Sequence, residues 1–228
     1  MKATNFKPSI HGWPFGNSWT KSFLFDKITF DMGFCGGMCW KALQRFFHAI
    51  PLPRDLPQPD EGDDLFEELW DAQVDSVPFS TLKKIYEWQM SPDLCHRHRL
   101  ELFSSLGSRT QRAWPKVKKS IDAFKPVTVT LIGSSNDTAP SHLADSHRVV
   151  AYAYKVTDPE SGAPSGAKDK VTLKIYDPNY PNRDDVELTF YLGAKRSNIR
   201  LRHTAGDKFH GFFKDDKKRN YRYPDGTD

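Results

Sequence analysis

The sequence predicts an α+β protein with helices in its N-terminal half and strands in its C-terminal half. Three observations carry that expectation. First, apolar residues recur at helical spacing from Met38 to Phe47, and the pattern returns over Leu65–Val74, Phe79–Met90 and Trp114–Phe124; Leu94–Ser105 fits another helix. Second, the pattern changes after Pro126 to β-branched and aromatic runs bounded by turn residues, at Val127–Ile132, Arg148–Val156, Val171–Tyr176 and Val186–Tyr191. Third, the two patterns do not alternate along the chain. That argues for a helical part packed on an antiparallel sheet and against a parallel sheet with crossover helices.

Each element has a local reason. Residues 1–22 are rich in Gly, Pro, Asn and aromatics, which predicts an irregular arm folded onto the body. Phe23–Phe30 reads as a short strand or an extended lead-in. Gly33, Gly36 and Gly37 surround Cys35 and make a turn that feeds a helix reaching about Ile50, where Pro51 and Pro53 stop it. Leu52–Asp64 is a Pro/Asp/Gly loop, and its acidic residues suit the start of the next helix. Trp70, Trp88 and Trp114 sit at helical positions that face a core. Asp158–Asp169 is polar with Gly and Pro, a hairpin loop. The main domain therefore runs over 23–194, with a helical part over 23–125 and a sheet part over 126–194. Residues 195–228 form a polar tail with clustered Lys and Arg, read as solvated.

Composition removes whole classes. With 38% hydrophobic and 27% charged residues in 228, the chain is neither disordered nor collagen-like. No run approaches the roughly 20 apolar residues of a membrane helix. Three cysteines are too few for a disulfide scaffold. A net charge of +4 is too small to argue for nucleic acid by itself. The Arg196, Arg200, Arg202 cluster and Lys217-Lys218-Arg219, interleaved with Phe209, Phe212, Phe213 and Tyr221, offer a nucleic-acid or anionic surface. Asp207, Asp215 and Asp216 dilute it, so a solvated tail is preferred. No apolar run follows Lys2 and Lys7, which predicts no secretory leader and a protein that is cytosolic or exported without one. Neither a P-loop, a Rossmann fingerprint nor a His-Glu-x-x-His motif occurs. Cys95-His96-Arg97-His98 lacks the tight paired spacing of most zinc sites, so no metal and no cofactor are predicted.

Three motifs carry chemistry. In Phe34-Cys35-Gly36-Gly37-Met38-Cys39-Trp40, a cysteine at the start of a helix meets free N–H groups and the positive end of the dipole. Both lower a thiol pKa. The glycines would admit a substrate carbonyl close to the backbone. In Ser146-His147-Arg148-Val149-Val150, a histidine opens a strand, and imidazole is the natural base for a thiol. His142, five residues earlier, competes for that role. In Tyr176-Asp177-Pro178-Asn179, a carboxylate ends the following strand. A hairpin would return Asp177 beside His147, where it can fix the ring tautomer.

At these residues the sequence resembles the papain-like cysteine peptidase superfamily, in particular its bacteriocin-processing branch. The matching positions are Cys35-Gly36, His147 before Val149-Val150, and Asp177-Pro178. The likeness spans about Gly33 to Asn179. It implies a papain-like fold, a Cys35–His147–Asp177 triad, a thioester intermediate and a peptide or protein substrate. Two departures stand out. Cys39-Trp40 mimics the Cys-Trp of papain, so Cys39 is the alternative nucleophile to the preferred Cys35. The family glutamine upstream of the nucleophile is absent, and Asn17 is the substitute oxyanion donor. Loss of such a donor costs about 2.7–4 kcal/mol of barrier. That departure motivates the second reading, a papain-like module that binds a peptide or protein without catalysis.

Overall fold

The computed structural model describes residues 1–25, 28–89, 106–133, 146–194, 201–206 and 209–215. In chain order the elements are β1 (Lys2–Ala3), α1 (Pro8–His11), β2 (Lys21–Phe25), β3 (Ile28–Met32), α2 (Cys35–Phe47), α3 (Asp64–Ser76) and α4 (Phe79–Gln89). There follow α5 (Leu106–Asp122), β4 (Val127–Gly133), β5 (His147–Thr157), β6 (Asp169–Tyr176), β7 (Glu187–Leu192), β8 (Arg202–His203) and β9 (Phe209–Lys214). The class is α+β: helices are packed on a curled antiparallel sheet in the order β8-β7-β6-β5-β4-β9, and β1 adds to β5. A separate hairpin, β2–β3, stands where the sequence put one extended segment.

Burial follows the layers. Every residue of β4 and the first eight of β5 are buried, because both faces of these central strands are covered. β6 and β7 alternate instead, with one face on the core. One core joins α4 and α5 to Val129, Val149, Leu173, Phe190 and Phe212. The other joins the N-terminal arm and α2 to Val150, Tyr152 and Tyr176. A bulge in β5 opposite β6 leaves Tyr152 as the extra residue between Ala151 and Ala153. Tyr152 and Ala153 therefore both serve the α2 side, and Tyr154 returns to the other core. Trp88 and Trp114 are core residues, and Trp70 packs at the margin of the second core.

Several boundaries differ from the sequence reading. α2 stops at Phe47 and not near Ile50. Ala49 takes a left-handed φ of 52°, and the Ile50 N–H returns to the Arg45 carbonyl at 2.9 Å. That closure ends the helix before the prolines do. α5 starts at Leu106, well before Trp114. Pro115 looks like a helix start but lies inside, and Leu106, Ala113, Trp114, Val117 and Ile121 share the buried stripe.

The largest correction concerns the tail. Residues 201–206 and 209–215 are not a solvated extension of the domain. β8 pairs with β7, and β9 pairs with β4 through Leu131↔Phe212 and Thr130↔Phe213. Phe209, Phe212 and Phe213 are buried, so they are core and not a stacking surface for nucleic acid. The domain therefore extends past 194. Leu94–Ser105, Cys95-His96-Arg97-His98, His142, Arg196, Arg200, Lys217-Lys218-Arg219 and Tyr221 lie outside the described residues.

Candidate active site

Cys35 is the first residue of α2. The preceding Phe34 has no capping side chain of its own, and its N–H donates to Asn17 Oδ1 at 2.8 Å. The N–H groups of Cys35 and Gly36 fall in the first turn, where a helix supplies no acceptor for them. The two glycines serve packing beneath Cys35 and not a close approach from outside. A Cβ on Gly36 would meet Ser76 Oγ and stand 2.6 Å from Arg148 Nη1. A Cβ on Gly37 would strike the Leu69 carbonyl of α3. The Gly37 N–H donates to Gln73 Oε1 at 3.0 Å, which ties α2 to α3.

His147 is the first residue of β5, and Asp177 follows the last residue of β6. Val150 faces Tyr176 across that hairpin, so the two functional ends lie side by side. His147 Nε2–H donates to Asp177 Oδ1 at 2.6 Å. The Cys35 thiol lies near enough to the His147 ring for each to shift the other toward its charged form. With Nε2 committed to Asp177, Nδ1 is the ring nitrogen left to take a thiol proton. The structure thus brings Cys35, His147 and Asp177 together in that order. The Asp177 side chain has no exposed surface, and that of His147 is 10% exposed. Cys35 and His147 thus keep a little exposed surface, and the carboxylate side chain keeps none.

The electrostatics follow from these contacts. Burial pushes the Cys35 thiol up, but the hydrogen bond and charge of His147, with the Arg148 backbone N–H and guanidinium, bring it below its ordinary value. Burial lowers His147, and the Asp177 carboxylate and then Cys35 outweigh it, so the imidazole lies well above its usual range. Burial also raises Asp177. The charge and hydrogen bond of His147, the His203 bond and the Asn179 N–H hold the carboxyl far below the carboxylate range. Each shift runs toward the charged form of its group: thiolate for Cys35, imidazolium for His147 and carboxylate for Asp177.

Cys39 is different. It is wholly buried in the second core and donates its S–H to the Arg148 carbonyl at 3.4 Å. Burial first, and then the negative charges of Cys35 and Asp177, push its thiol well above the ordinary value.

Asn17 lies between the nucleophile helix and the turn after Asp177. Its Oδ1 accepts the Phe34 N–H, which fixes the amide orientation, and its Nδ2 donates to Asn179 Oδ1 at 3.1 Å. Its backbone N–H donates to the Pro178 carbonyl at 2.9 Å. Asn179 N–H in turn donates to Asp177 Oδ1 at 2.9 Å. Asn17 is thus one residue from Cys35 through Phe34, and one Nδ2 hydrogen is engaged on Asn179.

Two residues near the site escaped the sequence reading. His203 Nε2–H donates to Asp177 Oδ2 at 3.1 Å. Asp215 pairs with the buried Arg148, whose Nε stands 3.0 Å from Asp215 Oδ2. One sequence signal bore on the second. An arginine inside the buried run His147–Tyr154 requires a buried acid, and the run itself holds none. Among the described residues, no group of three or more His, Cys, Asp or Glu is arranged to hold a metal ion, and no helix is long and apolar enough to cross a membrane.

No protein-family model, curated protein or solved structure matches this chain. The functional reading therefore stands on the geometry.

Proposed function

We propose that the protein is a cysteine hydrolase of papain-like type, a peptidase or amidase acting on a peptide or protein acyl group. The observation that carries this reading is one histidine held between a buried carboxylate and a thiol at a helix start. His147 takes the Cys35 proton, and the thiolate sulfur bonds to the acyl carbon. The oxyanion rests on the Cys35 N–H, with Asn17 Nδ2 as the second donor. The imidazolium then protonates the leaving amine as the carbon–nitrogen bond breaks, which leaves a thioester. Water, deprotonated by His147, attacks the thioester and releases the acid and the thiol. An amine in place of water would make the same site an acyltransferase.

The reading fixes the sign of the pH dependence. Cys35 lies below its ordinary value, so reactivity appears on rising pH before a free thiol, near pH ~8.5, would ionise. His147 lies well above 6.5, so hydrolysis persists past the usual imidazole range and falls when the ring loses the proton the leaving amine needs. The test is iodoacetamide labelling against pH, with peptide mapping by mass spectrometry, on wild type and His147→Ala. Cys35 should label fast well below pH ~8.5, and His147→Ala should abolish that advantage. Cysteines that all titrate as free thiols in a natively folded chain would end the enzyme reading and leave the peptide-binding module.

A further inference from the structure

We propose that His203 is a fourth member of this site, a positioning residue that holds the Asp177 carboxylate in the plane His147 requires. The inference rests on the hydrolase reading and extends it.

The carboxylate divides its acceptors between two oxygens. Oδ1 accepts from His147 at 2.6 Å and from the Asn179 N–H at 2.9 Å. Oδ2 accepts from His203 at 3.1 Å. The terminal torsion of an aspartate is broad and nearly two-fold, so a carboxylate bonded through one oxygen can tilt away from its partner. A second donor on the other oxygen removes that freedom. The His203 tautomer is itself set, because the Ala205 N–H donates to Nδ1 at 3.2 Å. The ring proton is therefore on Nε2, the edge facing Asp177.

The ring has two aromatic neighbours. Tyr180 lies 5.7 Å from it and Phe209 5.9 Å, centroid to centroid. Phe209 also stacks on His147 at 6.1 Å with an interplanar angle of 12°. One phenyl ring thus packs beside both histidines that bond the carboxylate. The His203 side chain has no exposed surface, so it does not meet substrate. Among the described residues, the titratable groups that act on or feel Asp177 include His147 from β5, His203 from β8, Tyr176 from β6 and Cys39 from α2. A neutral donor at Oδ2 steadies the carboxylate while His147 gains and loses its proton, and it adds no charge to the site.

The test uses the whole chain and iodoacetamide as probe, reading the Cys35 labelling rate against pH in wild type, His203→Phe, His203→Gln and His203→Asn. Phenylalanine keeps the ring and removes the donor. Loss of one hydrogen bond to a charged group should move the Cys35 curve up by about one pH unit, a rate about tenfold lower near pH 6. Glutamine carries an N–H donor at the reach of Nε2 and should restore the rate to within about twofold of wild type. Asparagine is shorter, should behave as phenylalanine does, and covers the case in which His203→Phe fails to fold. A folded Phe or Asn variant with the wild-type curve would overturn the proposal. So would a Gln variant no better than Asn. A wild-type Cys35 that titrates as a free thiol would overturn the hydrolase reading and this role with it, an outcome visible before any variant is compared.

Discussion

Adjacent residues of β5, His147 and Arg148, organise two buried polar clusters of opposite character. His147 gathers Cys35, whose proton the proposed acyl transfer moves, and the Asp177 carboxylate, which keeps its charge, and Asp177 gathers His203. Arg148 gathers partners that hold a fixed charge. Its Nε reaches Asp215 Oδ2 at 3.0 Å and donates to Thr130 Oγ1 at 3.3 Å, and Nη1 donates to Ser76 Oγ. Thr130 Oγ1 donates to Asp215 Oδ1 at 2.7 Å. Strand alternation separates the two clusters, and both bear on the first turn of α2. Under the proposed hydrolase reading, one cluster supplies the proton chemistry. The other locks the ground on which it stands, because a guanidinium keeps its proton throughout.

Substitution of one carboxylate in each cluster should break them in different ways. Asp177→Asn removes the charge that raises His147 and leaves the volume unchanged. Turnover should fall by about 10²–10⁴-fold, the range of a disabled acid–base group, and Cys35 labelling should shift to higher pH. Asp215→Ala leaves Arg148 buried and unpaired, and it should cost about 3–5 kcal/mol of stability. Its residual folded fraction should label Cys35 with the wild-type pH curve. Urea unfolding and alkylation of both variants check the contrast. An Asp215→Ala protein of normal stability would show that Arg148 has another counter-charge, and one with a shifted thiol curve would merge the two clusters into one.

The two clusters also differ in how far the sequence revealed them. Cys35, His147 and Asp177 were legible because each sits where a local pattern changes: a glycine turn into a helix, the first residue of an apolar strand, and the residue before a proline turn. Their company came from a hairpin, β5–β6, whose strands and loop are contiguous. His203 and Asp215 carried no such mark. β8 has two residues and β9 six, and their burial depends on pairing with β7 and with β4, the latter about eighty residues away. Charges at Arg202, Lys214 and Asp215 dilute the apolar pattern of that stretch, so it read as solvated. Asn17 stands out in the sequence only as a substitute for the absent family glutamine, and its hydrogen bonds follow from the meeting of that arm with Phe34 and Asn179.

The smallest effect is expected at Cys39, and it sharpens the contrast from within one helix. Cys35 and Cys39 lie one turn apart on α2, yet the first donates toward an imidazole and the second toward a backbone carbonyl. No basic ring faces Cys39 to accept its proton in these contacts, and burial holds it as a thiol. Cys39→Ala should therefore leave the Cys35 labelling curve within about twofold of wild type near neutral pH, at a modest packing cost for one lost sulfur in a full core. Peptide mapping decides the matter directly. Fast labelling of Cys39 in the wild type, or loss of reactivity in Cys39→Ala with Cys35 intact, would move the nucleophile one turn along the helix. It would also detach it from the histidine that the fold has placed beside Cys35.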